Sequence, residues 1–159
     1  MDFLGGSTGY IILKSLHVLA AATWVGGALG QNLLATRLLK TNDGNLMAKF
    51  ARESEWVGMH VYLPSALTIL ALGIWMVATS AWNFTDLWVA VGILGILFTV
   101  ITGAFFLGPT SKKIAAGIEA RGPDDPEVIR LTEKILKVGR IDLAVLMLVV
   151  VDMVTKPVL

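Results

Sequence analysis

Four stretches of this chain are nearly or wholly free of formal charge, and they constrain its fold more than any other feature. Only the last of them holds charged side chains, Asp142 and Asp152; the four are residues 15–36, 57–85, 87–111 and 141–155. A helix of about 20 apolar residues crosses the hydrocarbon core of a bilayer. We interpret the stretches as the membrane-spanning parts of four helices, at about 9–39, 46–80, 85–119 and 126–156. The sequence therefore predicts an all-α fold, a four-helix transmembrane bundle within one integral membrane domain of residues 1–159.

The composition supports this class and excludes several others. Hydrophobic residues make up 55% of the chain and charged residues 16%, a balance outside that of soluble globular proteins. The chain has no cysteine, which excludes disulfides, thiolate nucleophiles and cysteine-bound metals. A net charge of +1 without a dense basic run gives no indication of nucleic-acid binding. No hydrolase or kinase motif appears, and whether the protein is an enzyme is left open.

The basic residues predict how the bundle is oriented. Eleven of the 13 lysines and arginines lie in or beside the first and third connections: Arg37, Lys40, Lys49, Arg52, Lys112, Lys113, Arg121, Arg130, Lys134, Lys137 and Arg140. Because cytoplasmic loops are enriched in these residues, we expect both connections in the cytoplasm and both termini outside, with the helices extended on the cytoplasmic side.

Turn and cap residues delimit the helices within these two connections. Thr41, Asn42, Asp43 and Gly44 predict a turn, followed by Asn45 as an N-cap. In the third connection, Asp125 is the expected N-cap of the fourth helix, and Pro126 suits its first position.

The first predicted helix carries its polar side chains on one face. At helical spacing this face comprises Lys14, His17, Ala21, Trp24, Ala28 and Gln31. Since lysine and histidine are costly in lipid, we expect this face to point into the bundle.

Five ionisable groups lie at membrane depth and are the main candidates for function. At about 1.5 Å of rise per residue, they sort into two layers. We predict an outer cluster of Lys14, His17 and Asp152 and an inner pair of His60 with Asp142. Such contacts could simply neutralise polar groups inside a bundle. Alternatively, each carboxylate could orient an imidazole whose other nitrogen faces a metal, a haem iron or a transferred proton.

Proline and small residues predict local features of the helices. Pro64 cannot donate a hydrogen bond to the carbonyl of His60, so the second helix should kink there and leave a cavity near His60. Small residues recur every four positions at Ala22, Gly26 and Gly30 and again at Gly95, Thr99 and Gly103. This spacing favours close helix contacts, within the bundle or in a homodimer.

The first helix also resembles known bacterial membrane families. Its K-x-L-H-x6-W-x-G-G pattern, from Lys14 to Gly27, is similar to that of HemJ-type protoporphyrinogen oxidases and CopD-type membrane domains. Together with RESEWVGMHVYLPSALTILALGIWMV, Arg52 to Val77, the chain more closely resembles a family of predicted four-helix integral membrane proteins without an assigned function. The HemJ resemblance implies that His17 is associated with haem. The resemblance to bacterial membrane families implies a multi-pass protein of the bacterial inner (plasma) membrane.

Three functions follow as hypotheses. The first is a protein associated with haem b or porphyrin, in electron transfer or tetrapyrrole handling, with His17 as metal ligand and with Trp24 and His60 also at the cofactor. The second is a non-catalytic structural or accessory subunit of a larger membrane complex. The third is a component of an ion or proton pathway. As partners we expect the lipid bilayer and either a homo-oligomer or a membrane complex, and no nucleic acid.

Overall fold

The computed structural model describes residues 7–41 and 43–157, which fold into four helices and include no strand. The helices are α1 (Ser7–Leu38), α2 (Gly44–Ala78), α3 (Leu87–Arg121) and α4 (Pro126–Thr155). The predicted all-α four-helix bundle is confirmed, and each observed bound lies within two residues of the expected one. The assignment of residues 1–159 to one domain stays a prediction.

The two ends of the bundle differ in chemistry. We name the end where α1 passes to α2 and α3 passes to α4 the charged end, and the end that holds residues 79–86 the hairpin end. All ion pairs found among the described residues lie at the charged end: Arg52 with Glu119, Lys112 with Glu55 at 3.9 Å, and Arg121 with Asp125 at 3.0 Å and with Glu127 at 3.2 Å. The hairpin end instead places the Lys156 ammonium 4.9 and 4.8 Å from the ring centres of Trp82 and Trp88.

Aspartates cap both helices that begin at the charged end. Asp43 accepts a hydrogen bond from the backbone N–H of Leu46 at 3.1 Å, so the prediction of Asn45 as the cap was wrong. Asp43 directly precedes the first residue of the helix, Gly44, whereas Asn45 already lies inside it. Asn42, predicted in the same turn, lies outside the described residues. Asp125 accepts from Glu127 and Val128, which confirms the predicted cap of α4.

Helices α2 and α3 each contain one wider π-turn. In α2 it covers Gly58–Tyr62, where the N–H of Leu63 donates to the carbonyl of Gly58, five residues back. In α3 it covers Gly103–Leu107. A proline follows each turn by two residues, Pro64 in α2 and Pro109 in α3. Proline has no N–H and crowds the preceding turn, which favours such a local rearrangement of the hydrogen bonds. A kink was expected at Pro64, and the structure has a π-turn just before this proline; the π-turn before Pro109 was not predicted.

The π-turns lie where these two helices exchange packing partners. Toward the charged end, α2 packs mainly against α3; toward the hairpin end, α2 packs against α1 and α3 packs against α4. Three buried clusters follow this division. One lies at the charged end (Ala48, Ala51, Ile114, Ala115, Ile118 and Val128), and one lies at the hairpin end (Val77, Trp88 and Val89). The third, which we name the central plug, consists of Trp24, Ala28, Ala66, Ile69, Ile96 and Leu146.

The outer surface of the bundle suits a lipid environment. Within the described chain, α1, α2 and α3 are long and apolar enough to cross a membrane. Large apolar side chains point outward on all of them, as in Leu19, Leu67 and Leu94. The apolar half of α4 also exposes Leu148 and Val154, although Asp142 and Asp152 interrupt its sequence. Exposed apolar surface of this extent is stable in contact with acyl chains and unfavourable in water.

Candidate ligand-binding cavity

The predicted inward face of α1 is largely buried, with one exception. Trp24 and Ala28 are buried, and His17 and Gln31 are half-buried. Lys14 is exposed, so the prediction that this lysine points into the bundle was wrong. The physical reason is its place near the start of α1, where a long side chain can reach an interface or solvent without entering the core.

His17 lies between α1 and α2. A Cβ atom added to Gly73 would lie 3.3 Å from Cε1 of the imidazole, so this glycine leaves the space that the ring needs. The buried Nδ1 atom of His17 has no hydrogen-bond partner within the described chain. His17 therefore packs against the backbone of α2 near Ile69 and Gly73.

The predicted outer cluster is not assembled. Asp152 is half-buried, and its buried Oδ2 atom has no hydrogen-bond partner within residues 7–41 and 43–157. No ion pair within 4.0 Å connects it to Lys14 or His17 among the described residues. Axial depth alone therefore did not bring these three groups together.

The predicted inner pair is also separated. The exposed ring of His60 stacks on Trp56, with 4.6 Å between ring centres. Its Nδ1 atom lies 2.9 Å from the carbonyl oxygen of Trp56. Asp142 is instead buried in the interior, with 7% of its surface exposed. In the described part of the chain, no group of three or more His, Cys, Asp or Glu side chains comes together to hold a metal ion.

A cavity of about 410 Å³ occupies the charged half of the bundle, and all four helices contribute to its wall. Most of the wall is apolar, with side chains such as Met47, Leu107 and Ile135. Three members of the central plug, Trp24, Ala28 and Ala66, line the end of the cavity nearer the hairpin end. Neither histidine lines it.

Asp142 is the most deeply buried ionisable group at this cavity. Its Oδ1 atom is buried and has no hydrogen-bond partner in the described chain; Oγ of Ser54, across the cavity on α2, is in the same condition. One turn before Asp142, a Cβ atom on Gly139 would lie 3.5 Å from Oδ1 of Asn32. The Nδ2 group of Asn32 donates to the carbonyl of Ala28 at 3.0 Å.

Both π-turns face this space. Gly58 and Gly103 line the cavity, and a Cβ atom built on either would meet nothing within 4 Å. The cavity thus adjoins the points where α2 and α3 change partners. Sequence reasoning placed a cavity beside Pro64 but assigned it to His60. It did not identify Ser54, Asn32 or Pro109, although the spacing from Gly58 to Pro64 recurs from Gly103 to Pro109.

This arrangement suits an amphipathic ligand. A buried carboxyl group and a buried hydroxyl group can accept hydrogen bonds, and an apolar wall can surround hydrocarbon. Lys112 also lines the cavity, but its ammonium lies 3.9 Å from Glu55. The carboxyl group of Asp142 has no such partner among the described residues.

The fold and its lipid-compatible surface define an integral membrane protein of four helices. The chain belongs to the family described as "Predicted integral membrane protein (DUF2269)", whose model matches residues 11–157. No curated protein and no solved structure matches the chain. This family is consistent with the resemblance to predicted four-helix integral membrane proteins without an assigned function. The resemblances to the HemJ and CopD families rest on the first-helix motif alone.

Proposed function

We propose that this protein binds a small amphipathic molecule inside the membrane, with a cationic or hydrogen-bond-donating group at Asp142 and an apolar body along the cavity wall. The supporting observation is that Asp142 lines a cavity of about 410 Å³ while its buried Oδ1 atom has no hydrogen-bond partner among the described residues. A buried polar group without a partner is destabilising, so a ligand that donates a hydrogen bond or supplies a positive charge would offset that cost.

The size and composition of the cavity support a ligand of this kind. Pockets for small molecules typically measure roughly 300–1,000 Å³ and combine apolar walls with a few polar groups. Here the polar lining includes Asn32, Ser54 and Asp142 together with the ion pair of Lys112 and Glu55, whereas Leu107 and Ile135 contribute hydrocarbon. An ionisable residue within a membrane helix bundle is itself a frequent mark of a functional site.

The test compares two nitroxides of nearly equal size, the amine 4-amino-TEMPO and the alcohol 4-hydroxy-TEMPO. Each is titrated into the full-length protein in lipid nanodiscs, and the quenching of Trp24 is obtained by subtracting the signal of Trp24→Phe. We expect the amine to bind about tenfold more tightly than the alcohol, because a charge-assisted hydrogen bond contributes about 1.5–3 kcal/mol.

The Asp142→Asn variant should abolish this preference for the amine. Asp152→Asn is the matched control, because its carboxyl group also lies on α4 but does not line the cavity. Circular dichroism and size-exclusion elution establish that both variants are folded. Equal binding of amine and alcohol by the unmodified protein would contradict the proposal, as would an unchanged preference in Asp142→Asn.

Haem b with His17 as its ligand stays a prediction, and it concerns a different place. His17 packs against Gly73 and does not line the cavity, so a haem on this residue would lie between α1 and α2 or at the lipid surface. An absorption spectrum of protein purified from a haem-replete host tests it. A Soret band that disappears in His17→Ala would support haem binding; absence of the band before and after addition of haemin would contradict it.

A role as an accessory subunit is favoured by one further observation. Gly26 and Gly30 lie on the exposed side of α1, and a Cβ atom on either would meet nothing within 4 Å. Ala22 continues this small-residue surface, which permits close approach of another helix. Stoichiometric co-purification that is lost in Gly26→Leu would support a partner at this surface.

An ion or proton pathway would have to cross the central plug, and proton flux in liposomes tests that alternative.

We also propose that α4 spans the membrane and that both termini lie outside the cytoplasm, in the inner membrane of a bacterium. The exposed apolar side chains of α4 and the concentration of basic residues at the charged end support this orientation. Because the chain lacks cysteine, single cysteines at Thr41 and Pro157 can report it. A membrane-impermeant maleimide added to intact cells should label Pro157→Cys and not Thr41→Cys; the reverse pattern would contradict the orientation.

A further inference from the structure

A second space lies beside the cavity, between α1 and α2. It measures about 260 Å³, and we name it the side gap. Seven residues line it: Gln31, Leu34, Phe50, Glu53, Ser54, Val57 and Tyr62. Four of these also line the cavity, namely Gln31, Phe50, Ser54 and Tyr62. The two spaces are therefore adjacent, and the side chains that line both can change rotamer on a fast timescale.

The packing of α2 explains why this gap exists. Beyond the π-turn at Gly58–Tyr62, the charged half of α2 packs against α3 through Ala48 and Ala51. Helix α1 contacts α2 mainly in the hairpin half, where His17 lies against Gly73. The two helices therefore share few contacts toward the charged end, and the side gap occupies the space between them.

The route along the bundle axis is more obstructed. At the charged end, the buried cluster that contains Ile114 and Val128 fills the space between α2, α3 and α4. The two connections also touch there, since a Cβ atom on Gly44 would lie 2.9 Å from Cγ of Pro123. At the other extreme the central plug closes the cavity. The side gap is thus a less obstructed direction from the cavity toward the surrounding lipid than the bundle axis.

The charges along this route favour a cation. Glu53 lies at the side gap and Asp142 lies at the cavity, and neither forms an ion pair within 4.0 Å among the described residues. The lysine at the cavity, Lys112, is near Glu55. Leu34 and Val57 supply apolar surface beside Glu53. A molecule that passes this way meets hydrocarbon and a carboxylate together.

We propose that the ligand is a cationic amphiphile dissolved in the membrane, such as a long-chain amine, and that it enters the cavity sideways through the gap between α1 and α2. This inference rests on the proposed binding at Asp142 and adds the ligand class and its route. The amine group would pass Glu53 and reach Asp142, while the alkyl chain remains in contact with Leu34, Phe50 and the lipid.

The test obstructs the gap after the protein has folded. Because the chain has no cysteine, a bulky benzyl maleimide reacts only at an introduced one. Leu34→Cys places the adduct in the side gap. Leu33→Cys is the matched control, because Leu33 is the neighbouring residue, is 60% exposed and lines neither space. The probe is dodecylamine carrying a nitroxide, and stopped-flow quenching of Trp24 reports its arrival.

The adduct at Leu34→Cys should slow the quenching of Trp24 about tenfold, equivalent to about 1.4 kcal/mol of added barrier. The final amplitude should not change, because an obstructed route alters the rates in both directions. The adduct at Leu33→Cys should leave the rate unchanged. Equal rates for the two adducts would overturn the lateral route.

The small-nitroxide comparison separates this result from failure of the proposed function. If 4-amino-TEMPO is bound with dependence on Asp142 while both adducts admit the long-chain amine equally fast, the cavity is a binding site and the lateral route is wrong. If the small amine shows no dependence on Asp142, the proposed function itself fails. A long-chain amine that never quenches Trp24 in unmodified protein would overturn the proposed ligand class.

Discussion

The hairpin half and the charged half of this bundle are built from the same four helices but differ in how closely those helices pack. In the hairpin half, added Cβ atoms on Gly92 and Gly95 would collide with Met153 and Val149 of α4. In the charged half, the positions beside Gly58 and Gly103 are open. The transition occurs at the two π-turns, where α2 and α3 exchange partners. Both halves therefore contain closely packed helices, since an added Cβ atom on Gly117 would lie 2.7 Å from Cγ2 of Val128 at the charged end, but the charged half also holds the cavity beside the π-turns.

The largest difference in the free energy of unfolding should appear between the truncation of a buried side chain in the central plug and that of an exposed one nearby. Leu146 is 3% exposed and packs within it, so Leu146→Ala should lower the free energy of unfolding by about 2–5 kcal/mol. Leu148, two residues on, is 67% exposed, and Leu148→Ala should have little effect. Equilibrium unfolding in mixed micelles measures both. Equal losses would mean that the plug does not hold the bundle together.

Glycine-to-alanine substitutions should show a smaller difference in stability between the two halves. In Gly95→Ala the new group meets the branched side chain of Val149, which has little rotamer freedom, and overpacking of this kind costs about 1–3 kcal/mol. Gly103→Ala places its methyl group in open space, so stability should hold or rise slightly through higher helix propensity. Thermal unfolding compares the pair. A destabilised Gly103→Ala would show that the charged half is more tightly packed than described.

The smallest expected effect concerns the Asp125 cap at the charged end. A hydrogen bond from Arg121 holds the pKa of the Asp125 carboxyl group below its ordinary value. Its contribution to stability should therefore be present above the pKa of the unfolded aspartate and should disappear as the pH falls through the lowered folded pKa. Asp125→Asn should be less stable than the unmodified protein at neutral pH and indistinguishable from it in strong acid. Asp124→Asn, at the exposed neighbouring position, is the control, and a constant difference across the pH range would contradict this explanation.

Most of the fold could be predicted from the sequence because formal charge alone marks where a chain can cross a membrane. The four stretches with little or no formal charge located the helices, and Asp125 with Pro126 located the start of α4. The placement of His60 could not be obtained in the same way, because rise per residue gives the depth of a side chain along the helix axis but not its direction around it. Helical spacing placed Lys14 on the inward face of α1, but a long side chain near the start of a helix can still reach solvent or the interface.

Only part of the cavity lining could be predicted from the sequence, because the direction of a side chain around its helix was not known. Asp142 and Trp24 were candidates because polar or amphipathic side chains at membrane depth are unusual, and both line the cavity. Their assumed neighbours His60 and His17 do not line it, since α2 turns His60 outward onto Trp56 and His17 packs against Gly73. Glycine followed six residues later by proline marks both π-turns, but the same spacing from Gly117 to Pro123 spans the end of α3 without one, so the pattern alone does not predict a π-turn. Ser54 and Asn32 carried no signal of their own.

The most direct test of the cavity in the charged half compares two indole N–H groups by NMR. Trp24 lines the cavity, whereas Trp88 is buried in the cluster at the hairpin end. In protein labelled with ¹⁵N-tryptophan, 4-amino-TEMPO should broaden the Trp24 resonance far more than that of Trp88. In Asp142→Asn, the broadening of Trp24 by the amine should fall to the level that 4-hydroxy-TEMPO produces. Equal broadening of the two indoles, or broadening of Trp24 that does not depend on Asp142, would contradict amine binding in the cavity.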